Sequence, residues 1–187
     1  VALSSAVRVT APDGSQVAYQ GNDGIYIVPP LGGAPRRLAR VNPIGRFSTA
    51  WGTLIAGFDW SPDGARVAWA RGYNADGVMV LTLATGDTVT LPAPASPFSP
   101  AWSPDGQRLA IQNSGLCGSG CGYSNLWRID AADGGDQIQL IDSGADPTWS
   151  ANGRIAYTYA YAFYTYPPRE IRWLAANVPG HSSALTS

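Results

Sequence analysis

Trp60-Ser61-Pro62-Asp63-Gly64-Ala65-Arg66-Val67-Ala68-Trp69 is a tight turn followed at once by an apolar strand, and the chain writes it again and again. Near copies are Ala11-Pro12-Asp13-Gly14, Ser103-Pro104-Asp105-Gly106 and Ser150-Ala151-Asn152-Gly153, with glycine spacings of 50, 42 and 47 residues. Trp60, Trp102 and Trp149 stand just before three of the turns. A Val, Leu or Ile followed by Ala comes after all four: Val17-Ala18, Val67-Ala68, Leu109-Ala110 and Ile155-Ala156. Pro presets φ for entry into the turn, and Asp-Gly or Asn-Gly takes positive φ cheaply, so each copy predicts a hairpin. Repetition at this period means one supersecondary unit used four times, at the size of a propeller blade.

Each unit parses into four short strands. The first predicts Val7–Thr10, Gln16–Gln20, Gly24–Val28 and Arg36–Ala39. The second predicts Gly57–Trp60, Arg66–Ala70, Val78–Leu83 and Thr88–Leu91. The third predicts Pro100–Trp102, Arg108–Gln112, Asn125–Asp130 and Gln137–Ile141, and the fourth Pro147–Trp149, Arg154–Tyr159, Glu170–Leu174 and Ser183–Thr186. The fold class is therefore all-β, a β-propeller of four visible four-stranded antiparallel blades, with an open arc, part of a larger ring and a small closed four-bladed ring as the alternatives. One domain over residues 1–187 is expected, with blades near 5–40, 57–92, 98–142 and 145–187 and an insertion at 41–56. The repeats start near residue 1 and end near residue 187, which predicts a unit complete at both ends. The initial Val points to a removed leader or to a piece of a longer product.

Composition agrees. The 187 residues are 45% hydrophobic and 13% charged, with 22 Gly, 15 Pro, no Lys and a single Glu, Glu170. Scarce Lys, Glu and Met argue against helix, and the chain is too apolar to be disordered. A net charge of −1 gives no overall attraction to nucleic acid or acidic lipid, and no apolar run is long enough to span a bilayer.

Trp-Ser-Pro-Asp-Gly, then an Arg-Val-Ala-Trp strand, then Ile-Tyr-Ile or Leu-Trp-Arg-Ile, resembles the TolB-like family of β-propellers over about Val7 to Leu185. The resemblance implies a propeller, usually of six blades, that serves as a periplasmic protein-interaction module or as the propeller half of certain peptidases. It departs in showing four repeats, in Thr10 where a Trp is usual, and in a fourth turn that is one residue shorter. Periplasmic or extracellular location is implied by the resemblance together with Cys117 and Cys121. Those two cysteines share one Gly-rich loop, where a local disulfide is expected and free thiols are the alternative.

Extra residues are spent unevenly. Turns between first and second strands, and between third and fourth, are short. The longest connections, Arg40–Ala56, Asn113–Ser124 and Ala160–Arg169, fall at the opposite rim. Loops raised from a rigid scaffold are where binding usually resides. Large and small residues alternate from Ile155 to Phe163, and the rings of the aromatic stretch Tyr157–Tyr166 suit a protein partner, sugar stacking or packing on the neighbouring blade. Candidate contacts are Tyr159, Tyr161, Phe163, Tyr164 and Tyr166, with Arg46 and Trp51 from the insertion.

Catalytic chemistry is poorly supplied. His181 is the one histidine, inside Gly180-His181-Ser182-Ser183-Ala184, a faint echo of a nucleophile elbow that lacks a separate base and a following helix. The turn carboxylates lack calcium-loop spacing, and no phosphate-binding or dinucleotide fingerprint is present. No cofactor or metal is expected, and no catalytic residue. Arg36, Arg37, Arg40 and Arg46 read as a solvated surface, with an anionic partner as the alternative. The sequence thus favours a non-catalytic interaction module docking a protein partner or a second copy. The alternatives are the propeller of a hydrolase whose catalytic part lies elsewhere and a carbohydrate-binding propeller.

Overall fold

Four meanders of four strands make up the described residues of the computed structural model, which are 8–21, 24–40, 57–70, 77–114, 124–159 and 170–184. Blade one holds β1 (Arg8–Thr10), β2 (Val17–Gln20), β3 (Gly24–Val28) and β4 (Arg36–Arg40). Blade two holds β5 (Phe58–Trp60), β6 (Arg66–Ala70), β7 (Gly77–Thr82) and β8 (Thr88–Pro92). Blade three holds β9 (Pro97–Trp102), β10 (Arg108–Ser114), β11 (Ser124–Asp130) and β12 (Ile138–Ile141). Blade four holds β13 (Ala145–Trp149), β14 (Arg154–Tyr159), β15 (Glu170–Ala175) and β16 (Ser182–Ala184). All pairs are antiparallel and sequential. No helix occurs among the described residues.

The repeated turn closes by one bonding scheme. The glycine N–H donates to the carbonyl of the residue three back, at 2.9 Å for Gly14, Gly64 and Gly106 and 3.0 Å for Gly153. In blade two the Ser61 hydroxyl donates to Asp63 Oδ1 and accepts from the Arg66 N–H at 2.8 Å. Ser103 with Asp105 does the same in blade three. In blade four Asn152 Oδ1 takes the carboxylate's place, accepting from Ser150 at 2.6 Å, so the shorter turn keeps its clasp.

The Val/Leu/Ile-Ala pair decides how blades stack. Successive strand residues point to opposite faces. Val67, Leu109 and Ile155 pack toward the preceding blade, whereas Ala18, Ala68 and Ala110 pack toward the following one, all six fully buried. Small against large across each gap gives three apolar cores between four sheets. Each tryptophan pairs with the first residue of the duo (Trp60 with Val67, Trp102 with Leu109, Trp149 with Ile155) and so wedges against the preceding blade. Trp60 Nε1 donates to Val9 O and Trp149 Nε1 to Ala101 O, both at 3.1 Å. Burying one such Leu or Ile is worth about 2–3 kcal/mol.

At the ends the pattern runs out. Val17 would face a blade before the first and Ala156 a blade after the fourth, and both are only partly buried. Thr10 stands at the tryptophan position and is exposed, and among the described residues no sheet lies against its face. Among the described residues no fourth core joins blade four to blade one. The sheets form an open arc.

Pro100 and Pro147 are expected to start strands. Instead β9 begins at Pro97 and β13 at Ala145, because register shifts at Ser99–Pro100 and at Asp146–Pro147 let each strand bulge and continue.

Candidate functional site

The inner strands begin at the rim of long connections. Three residues before each tryptophan, Gly57, Ser99 and Asp146 all have positive φ, at 95°, 43° and 51°. For Ser and Asp such a backbone costs about 1–3 kcal/mol and must be held in place. Neighbouring blades hold it here: a Cβ on Gly57 would come within 2.8 Å of Ser99 Cα. The Ser99 hydroxyl points to Asp146 Oδ1 at 3.4 Å. The Asp146 N–H donates to Gln112 Oε1 at 3.2 Å, and Gln112 Nε2 donates to the Ser124 hydroxyl at 3.0 Å. Asn113 Nδ2 donates to Ala95 O. This network sits at the roots of the loops and leaves the Asp146 side chain exposed.

On the same rim, β14 ends at Tyr159 opposite Glu170 at the start of β15. The Arg172 guanidinium lies 3.8 Å from the centre of the Tyr159 ring and forms a 2.7 Å ion pair with Glu170. Glu170's hydrogen bond and charge hold the Arg172 guanidinium above its ordinary pKa. Tyr157 on the same face is buried, and that burial pushes its hydroxyl pKa up. Tyr159 is half-buried against the third core. The first two rings of the aromatic stretch therefore pack between blades. Tyr161, Phe163, Tyr164, Tyr166, Arg46, Trp51, Cys117 and Cys121 lie outside the described residues.

The three tryptophans that precede the turns all lie between blades, with one difference among them. Trp102 Nε1 has no hydrogen-bond partner. Instead Asp59 crosses from blade two, accepting from the Trp102 N–H on Oδ2 and from its neighbour Trp60 N–H on Oδ1, each at 2.9 Å. Burial pushes the Asp59 carboxyl up, while the two N–H bonds pull it back. His181 is exposed and leads directly into β16, with no helix after it. Among the described residues no group of three or more His, Cys, Asp or Glu is placed to hold a metal, and no helix is long and apolar enough to cross a membrane.

Sequence reasoning pointed to one rim, yet a cleft of about 510 Å³ opens on the other, between the turns of blades one and two. Pro12, Asp13 and Gln16 line one side, Pro62 and Asp63 the other, with Trp60 between and Arg36 bordering the space. The signal that could have found it is Gln16, which stands where Arg66, Arg108 and Arg154 stand in the other repeats.

No family model matches the chain, and no curated protein does either. Solved structures do. TolB from Acinetobacter baumannii is 17% identical with a TM-score of 0.68, over 96% of this chain and 42% of that one. A protein assigned as TolB from Agrobacterium tumefaciens is 20% identical with a TM-score of 0.72, over 96% and 64%. An oligogalacturonate lyase in complex with manganese is 13% identical with a TM-score of 0.68, over 96% and 51%. The fold is that of the TolB-like β-propellers, and the chain spans 42% to 64% of the length of these structures.

Proposed function

We propose that the chain is a non-catalytic interaction module, an extracytoplasmic part of a larger assembly that grips a protein partner through the rim of long connections. The observation that carries this reading is the row of left-handed backbone at Gly57, Ser99 and Asp146, with Ser99 bonded to Asp146 and Gly57 packed closely on Ser99. It fixes the roots of several loops on one rigid scaffold and exposes a carboxylate among them. Strain stored at one rim and held by neighbours is a common mark of a site. The half-covered faces of Val17 and Ala156 add that the arc works against other bodies, whether further blades or a second copy. Extracytoplasmic placement draws on the likeness to TolB structures and on a disulfide expected between Cys117 and Cys121 of one loop.

A photo-crosslinking residue placed at Asp146, with a control at the exposed Asp133 on the opposite rim, tests the reading in an extract of the native source. Partner adducts from position 146 and none from 133 are expected. Adducts from 133 alone would reverse the assignment of the rim.

A second reading makes the chain the propeller segment of an enzyme. It is favoured by the likeness to an oligogalacturonate lyase and by the half-length coverage. A coding sequence that continues into a catalytic segment would decide for it. Carbohydrate binding on the Tyr rings is the third possibility, and a glycan array read with Tyr159→Ala would expose it.

A further inference from the structure

On the short-turn rim, each gap between neighbouring blades is bordered by two turns, with the second blade's tryptophan between them. Arg66 crosses the gap from blade two to blade three. Its guanidinium lies 4.4 Å from the centre of the Trp102 ring, and Nη2 donates to Gly106 O at 3.1 Å. From blade three Arg108 crosses to blade four, where Nη1 donates to Asn177 Oδ1 at 3.3 Å. In the fourth repeat the Arg154 guanidinium lies 4.0 Å from the centre of its own blade's Trp173 ring. Blade one has Gln16 at this position. A glutamine side chain is shorter and uncharged, and the gap it borders is the open cleft. The two glycines record the difference. A Cβ added to Gly106 would meet Arg66 Nη2 at 3.4 Å and Pro62 Cδ at 3.7 Å; one added to Gly64 would meet, within 4 Å, only Pro12 Cδ at 3.9 Å.

We infer that this cleft accepts an arginine side chain from a polypeptide partner, its guanidinium pushing aside the half-buried Gln16 to stack on Trp60, itself only 5% exposed, as that of Arg66 stacks over Trp102. Gly64 O stands where Gly106 O stands, as the acceptor. The charge balance fits. Asp63 and Asp105 each have an arginine three residues on that helps hold them ionised, whereas Asp13 has Gln16. Asp13 is kept ionised by the Ser15 N–H at 2.9 Å and hydroxyl at 2.7 Å, both on Oδ1, which leaves Oδ2 for a ligand. Arg36, exposed at the border, is the one cation of the lining, and since Asp63 already faces Arg66, Asp13 is the carboxylate that a ligand would meet. Lysine is a poor substitute, because a hydrated point charge lacks the flat face that stacks on indole. This site is independent of the long-loop rim.

The test titrates labelled protein with acetyl-Gly-Arg-Gly-amide while following the Trp60 indole N–H, assigned from Trp60→Phe. A saturable shift is expected, at least about tenfold weaker when Lys or uncharged citrulline replaces Arg. Gln16→Arg plugs the cleft from within and should weaken the peptide about tenfold or more; Asp13→Asn should weaken it severalfold. Equal binding of the citrulline peptide overturns the inference, as does undiminished binding by a folded Gln16→Arg protein. Free arginine binding as tightly as the peptide would remove the polypeptide from it.

Discussion

Leu109 and Val17 hold the same place in their repeats and meet different surroundings. Each follows a turn, and each points toward the preceding blade. Leu109 is fully buried against Ala68 and Val80, while Val17 keeps part of its surface in water beside the stacked rings of Tyr19 and Tyr26. Ala110 and Ala156 repeat the contrast on the opposite face. A repeat thus specifies a blade, and its neighbour supplies most of the blade's stability, as nearest-neighbour energetics of repeat proteins require. Thr10 for Trp and Gln16 for Arg, both in blade one, are local responses to different situations. Thr10 faces away from the arc, where no described residue forms a sheet against it, whereas Gln16 faces blade two and borders the cleft there.

The largest effect should come from truncating an interior face. Leu109→Ala is expected to cost about 3 kcal/mol, the loss of transfer energy plus a cavity that rigid sheets fill poorly. Val17→Ala should cost less than about 1 kcal/mol by the same urea unfolding measurement. Equal costs would break the comparison and show that something covers the first blade in solution.

The next effect compares two glycines of positive φ. Gly57→Ala places a Cβ 2.8 Å from a backbone atom of the next blade on top of the backbone strain, and about 2 kcal/mol is expected. Gly64→Ala carries the strain alone, since Pro12 Cδ at 3.9 Å is ordinary contact, and about 1 kcal/mol is expected. Denaturant midpoints that agree would mean the inner strands can move apart.

Two tryptophans sharpen the picture further. Trp149→Phe forfeits the bond from Nε1 to Ala101 O, whereas Trp102→Phe removes an indole N–H that bonds to nothing. The first should therefore cost about 1 kcal/mol more from this source than the second, read as a difference between thermal melts corrected for packing with the matching Trp→Leu pair.

Much of this architecture is written in the sequence. Turn chemistry and the apolar duos are local signals, so strands such as Arg66–Ala70 and Arg154–Tyr159 are found with their observed limits. Strand starts beside Pro100 and Pro147 are misread because a bulge is a property of two strands together. The left-handed Ser99 and Asp146 are invisible for the same reason, as neither residue type demands that backbone. The facing rule, large residue backward and alanine forward, needs the neighbouring sheet before it has meaning. Gln16 is legible only once the four repeats are set against one another and Arg66 is seen to occupy a groove. Of the long-loop candidates Tyr159 alone is described, and its place under Arg172 follows from Glu170 lying opposite it across two strands.

The smallest expected effect concerns pH at an interior interface and in the turns. Asp59 holds a place taken by Val9, Ala101 and Thr148 in the other repeats, and Thr148, on the last blade, is exposed. Burial dominates at Asp59, so its folded pKa lies above the ordinary 3.8, and the folded state grips the proton harder than the unfolded state. Its contribution to stability is therefore greatest in acid and declines as pH rises from 3.8 through the raised value. Asp13, Asp63 and Asp105 behave oppositely. Bonds from the turn hold them below 3.8, so their contribution is full above that value and lost as pH falls through the folded one. Asp59→Asn should remove the decline above pH 3.8 and leave the acid-side loss intact, while Asp63→Asn should soften only the acid side. Stability measured against pH in urea would separate the two. A parent curve that Asp59→Asn leaves unchanged above 3.8 would mean that water reaches Asp59, and that the boundary between blades two and three is open like the ends of the arc.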